Sequence, residues 1–139
     1  MLFPAAFMAL IVLAAITIDI STARLRATEL HDVAASAAND SLGALDQTAL
    51  RHTGKAHFDL AAMNRIVHQS IAANNLPEAR VVDIVLDDPD SPHPQLRVTL
   101  RLTVPLIMTA AIPGAPRSTT ITQTGTASIL GFDYLQPGY

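Results

Sequence analysis

Asp19 is the first charged side chain in the chain. Before it, residues 2–18 read LFPAAFMALIVLAAITI, uncharged and mostly apolar. A helical run of about 17 residues is at the short end of what crosses a ~30 Å hydrocarbon core, and Ile20 lengthens it if Asp19 reaches the interface. Pro4 falls in the first turn, where its missing N–H costs least. Beyond residue 20 the pattern stays helical but becomes one-sided. Leu30, Val33, Ala34, Ala37, Ala38, Leu42 and Leu45 form one apolar stripe, with Arg24, Arg26, Glu29, Asp32 and Asp40 mostly off it. One long helix is predicted, lipid-facing over 1–20 and an amphipathic stem over 21–46, fraying at Gly43. Alanines on the stripe permit close approach of another surface.

The second half of the chain changes period. Residues 48–58 are polar and read as a connection. Asp59 is placed to cap a second helix over 59–74, with Leu60, Met63, Ile66, Val67 and Ile71 on its apolar face. Asn74, Asn75 and Pro77 end it. Strands follow over 80–87, 95–105 and 118–130. In the first, Val82, Ile84 and Leu86 are expected on one face. In the second, Leu96, Val98, Leu100, Leu102 and Val104 alternate with Gln95, Arg97, Thr99, Arg101 and Thr103, so one face packs a core and the other meets water. In the third, Ile121, Gln123, Gly125 and Ala127 alternate with Thr120, Thr122, Thr124 and Thr126, and its small residues suggest that a helix or another backbone packs closely there. The expected fold class is α+β: a membrane-spanning helix at residues 1–20 continuing into a domain at 21–139, with one further helix on a three-stranded antiparallel sheet in hairpin order, a pilin-like arrangement.

Composition narrows the function classes. Charged residues make up 15% of the chain, below the ~25% usual for globular proteins, and the deficit lies in the first 18 residues, as a lipid-facing segment requires. Net charge is −3 with no basic run, so nucleic acid is not an expected partner. There is no cysteine, hence no thiol nucleophile, disulfide or Cys-ligated metal. His31, His52, His57, His68 and His93 are scattered without chelating spacing. Asp87, Asp88 and Asp90 lack calcium-loop spacing, no Gly-x-Ser-x-Gly surrounds a serine, and Gly54-Lys55 lacks the leading glycine of a phosphate loop. Neither catalysis, a cofactor nor a small-molecule substrate is expected.

Two features carry candidate chemistry. Asp19 is read either as a hydrated marker of the interface, with Arg24 or Arg26 within a turn or two, or as a carboxylate pairing with a cation on a neighbouring subunit. The stretch between the last two strands, LIMTAAIPGAPRS, is an apolar loop. Leu106, Ile107, Met108 and Ile112 either pack the core or offer a surface to a partner or to the membrane face. The Thr-rich face of the third strand is a solvated face or an edge for strand addition. For the N-terminal run, the competing reading is a cleaved secretory signal, with Ser21-Thr22-Ala23 as the processing site and a secreted binding module as product. Arg24 and Arg26 follow the run while no basic residue precedes it. Taken literally, this count puts the C-terminal domain in the cytoplasm; a true start upstream of Met1 would change it.

The succession LFPAAFMALIVLAAITIDIS, RLRATELHDVAASAANDSLGALD and IPGAPRSTTITQTGTASI resembles the TadE/TadG-like proteins of Flp pilus assembly, in their small single-pass form. Asp19 matches the aspartate that ends the family's apolar helix, and VAASAAND at 33–40 matches its Ala-rich continuation. The resemblance is specific over the first 46 residues and around 112–129. It implies a single-pass protein of the cell membrane with its C-terminal domain outside the cytoplasm, acting as an accessory, pilin-like or anchoring subunit of a Tad-type pilus. Its implied partners are other pilus subunits, met through the N-terminal helix, and membrane lipid. Phe7, Leu10, Leu13, Ile16, Asp19, Leu30, Val33 and Ala37 are then the candidate anchor and subunit contacts. Pilin-type relatives carry a glutamate near the start of the mature helix. Here no Glu precedes Glu29, so prepilin-peptidase processing is not expected.

Overall fold

The computed structural model describes residues 3–44, 46, 52, 57, 59–88 and 94–128. Helix α1 runs unbroken over Phe3–Ser41 and tightens into a 3-10 turn at Leu42–Ala44. Helix α2 spans Leu60–Ala73. Strands β1 (Arg80–Asp87), β2 (Gln95–Pro105) and β3 (Ser118–Ser128) form one antiparallel sheet in the order β1-β2-β3. A 3-10 turn, Thr109–Ala111, lies between β2 and β3. A long apolar helix followed by a helix on a three-stranded antiparallel sheet is the α+β architecture that the periodicity predicts.

Both helices lie on one face of the sheet. From α1 come Leu30, Val33, Ala34, Ala37 and Ala38, from α2 Val67 and Ile71, and from β2 Val98, Leu100, Leu102 and Val104. Every second residue of β2 is buried because the central strand is covered along its whole length. A smaller cluster, Ala44, Met63 and Leu96, closes the far end. Sheet and helix approach closely at Gly125. A Cβ built there would overlap the Ala34 carbonyl and the Ala35 nitrogen. Only a glycine lets the strand lie against the helix backbone at this point.

Local chemistry fixes the ends of α2. The Asp59 carboxylate accepts the amides of Ala61 and Ala62 at 2.9 and 3.1 Å. At the other end Asn75 takes the left-handed conformation, φ 56°, that stops a helix. The ends of the connection before α2 are held by Asp46 N–H to His57 O, 2.8 Å, and Asp59 N–H to Ala44 O, 3.3 Å. Most of that connection lies outside the described residues, as do Asp90, His93 and the expected strand positions 129–130.

One expectation about β1 fails. The pairing with β2 slips by one residue between Val81 and Asp83. Val82 is the extra residue of a bulge and is exposed; Val81, Ile84 and Leu86 carry the inward face instead. The solvent face of the sheet is polar. Arg97 pairs with Asp87 at 2.5 Å, the hydroxyls of Thr99 and Thr124 lie 3.2 Å apart, and Thr120, Thr122 and Thr126 continue the row.

Candidate functional site

Helix α1 has two environments. Residues 4–14 are exposed throughout: Phe7, Leu10 and Leu13 are 64%, 65% and 60% exposed, and Ile16, just beyond, is 37% exposed. These four remain available to lipid or to another subunit. Leu30, Val33 and Ala37 do not. They are buried in the chain's own core, so their place among candidate membrane and subunit contacts is corrected. The stripe on which they lie faces this chain's sheet.

The hydroxyls near the junction are silenced within the helix. Thr17, Ser21 and Thr22 donate to the carbonyls of Leu13, Thr17 and Ile18 at 2.8, 2.8 and 3.0 Å. Back-bonding of this kind satisfies a hydroxyl that lacks water.

Asp19 has no such local partner, and the structure gives it one 90 residues away. One carboxylate oxygen accepts the Met108 amide at 3.2 Å. The other accepts the Thr109 amide at 2.6 Å and the Thr109 hydroxyl at 2.8 Å. Asp19 is thereby 5% exposed. These amides belong to the N-terminal end of the Thr109–Ala111 turn, where they would otherwise lack acceptors. The reading of Asp19 as a hydrated interface marker is thus corrected. It is not a hydrated marker, because three of its hydrogen bonds are made within the chain. Nor do the arginines serve it: Arg26 pairs with Glu29 at 2.8 Å.

The clamp fixes where the apolar loop sits. The carbonyl of Arg117 accepts the Leu106 amide at 2.9 Å, closing the base of the loop. Leu106 and Ile112 turn partly inward. Ile107 and Met108, 75% and 43% exposed, point out. Between helix and loop lies a groove of about 210 Å³, lined by Ile16, Ile20, Ala23, Leu106, Pro116 and Thr119 beside the Asp19–Thr109 contact. Thr109 is the member of this site that the sequence does not announce. A single threonine in an apolar loop is its only trace.

A carboxylate on the helix grips a turn of the domain and fixes one against the other. Among the described residues no group of three or more His, Asp and Glu could hold a metal ion. His52 and His57 are both exposed. Comparison with protein-family models, with curated proteins and with solved structures gave no match. Among the described residues one helix, near the N-terminus, is long and apolar enough to cross a membrane.

Proposed function

We propose that this chain is an accessory, pilin-like or anchoring subunit of a Tad-type pilus assembly system. It is held in the cell membrane by the first half of α1, with the domain outside the cytoplasm. The observation that carries the proposal is α1 itself: a single 39-residue helix, bare and apolar at its start, that becomes the packed spine of an antiparallel sheet. A subunit of this shape transmits position from membrane to domain without a hinge, as a filament or its base requires. The sequence resemblance over 1–46 and 112–129 points the same way. Its role is structural and its partners are other subunits, met through the exposed residues Phe7, Leu10, Leu13 and Ile16.

The decisive experiment is cross-linking of the full chain in native membranes, followed by identification of captured proteins. Recovery of a pilus ATPase, a polytopic platform protein or pilins supports the proposal. Recovery of none of them against an untagged control would sink it.

The alternative is a secreted binding module released after Ala23. Asp19 speaks against it, because cleavage there removes the carboxylate that holds Met108 and Thr109. Mass spectrometry of the native protein distinguishes the two: a chain starting at Arg24 supports the secreted module.

A further inference from the structure

The orientation of the domain relative to α1 follows from two contacts. Near its start β3 lies across one groove from the helix, Thr119 and Ala23 both lining it. Further on, Gly125 meets Ala34. Eleven helical residues rise ~16 Å and six strand residues ~20 Å, so helix and strand run side by side in the same direction. The β2–β3 loop is therefore at the end of the domain from which the bare half of α1 emerges. This loop carries Ile107 and Met108 outward, with no charged residue from Leu106 to Pro116. Arg117 follows it, and Arg24 and Arg26 stand on the helix just beyond the same level.

We infer that the 106–117 loop is a second membrane contact. Ile107 and Met108 enter the interfacial layer of the bilayer that α1 crosses, and the Asp19 clamp sets their depth. This rests on α1 spanning the membrane. The occupant is lipid because the exposed apolar tip belongs to the loop whose Leu106 shares a groove with Ile16 and Ile20 of the exposed apolar helix. Arginines beside such a tip lay their stems along it and carry their charge to the headgroups. The clamp also answers how a carboxylate tolerates this depth. Its oxygens are taken up by two amides and a hydroxyl, so it reaches the lipid boundary with its hydrogen bonds already made. With two attachments the domain cannot swing about the helix. It stands at one height and one tilt.

The absence of cysteine permits a direct test with the full chain in vesicles of phosphatidylcholine and phosphatidylglycerol. Single substitutions Leu13→Cys, Ile107→Cys, Met108→Cys and Thr126→Cys are labelled with an environment-sensitive fluorophore. Quenching by lipids bearing a nitroxide at a shallow or a deep acyl position is then read. All four side chains are exposed, so the fold is expected to survive. Labels at 107 and 108 should lose about half their emission to the shallow nitroxide, the label at 13 a similar share to the deep one, and that at 126 almost none. If 13 is quenched while 107 and 108 behave like 126, the loop contact is overturned and the anchor stands. If 107 and 108 are blue-shifted but untouched by either nitroxide, the tip is covered by protein, such as a second copy, and the inference again falls. If 13 itself reports water, both the anchor and the loop contact fall together.

Discussion

At the scale of single residues, Asp19 and Gly125 hold the two halves of the molecule in register. Replacing Asp19 by Ala leaves the amides of Met108 and Thr109 without their acceptor. Their hydrogen exchange should accelerate about tenfold or more, while amides of α1 keep their protection. Exchange measured by mass spectrometry in detergent checks this, and unchanged rates at 108–109 would show that the clamp does not form in solution. Gly125→Ala forces a methyl into the backbone of Ala34 and Ala35 and should cost about 3 kcal/mol, read as a lowered unfolding midpoint. Ala34→Gly should not rescue it, because the overlap is with main-chain atoms. The oddity of Asp19 was legible in the sequence; its partner was not. Two of its three donors are backbone amides, which every non-proline residue owns, so no sequence pattern marks them. The close approach at Gly125 was legible, since small residues alternated along one strand face.

At the scale of elements, period did most of the work. The unbroken alternation of β2 survives because that strand is central and covered along its whole length on one face only. The cap of α2 is equally local: Asp59→Ala should cost about 1 kcal/mol by thermal unfolding, with the helix otherwise retained. Strand β1 defeated the same method. Its bulge inserts one residue and reverses which valine faces inward, and nothing in the string VVDIV announces it. A pair of substitutions separates the two registers. Val82→Thr should change stability by no more than about 0.5 kcal/mol. Val81→Thr, which puts a hydroxyl against the core, should cost about 1 kcal/mol or more. The reverse order would restore the alternation without a bulge. Leu30, Val33 and Ala37 illustrate a further limit. An apolar stripe on a helix says that something covers it, not whether that cover is the same chain, lipid or a neighbour.

For the whole molecule, the two ends of α1 have different surroundings, bare at the start and packed on the sheet beyond, and the sequence marked the change within a few residues. What it left open is the side of the membrane, because Arg24 and Arg26 count one way and the family resemblance the other. Protease added to spheroplasts should digest the domain if it is exported; complete protection until lysis would place it in the cytoplasm.

The common direction of α1 and β3 has a bearing on how copies of this chain can meet. Strand β3 is an edge of the sheet, eleven residues long and without a charged side chain, features that invite another strand to pair with it. For two identical copies the favoured antiparallel pairing would turn one β3 against the other. Because each helix follows its strand, it would aim the two apolar segments in opposite directions. Two copies rooted in one bilayer from the same side cannot do that. If α1 crosses a bilayer as proposed, that anchorage protects an edge that neither a charge nor a proline guards, by forbidding the geometry in which the edge would zip to itself. What it leaves admissible is a strand from a chain free to run the other way.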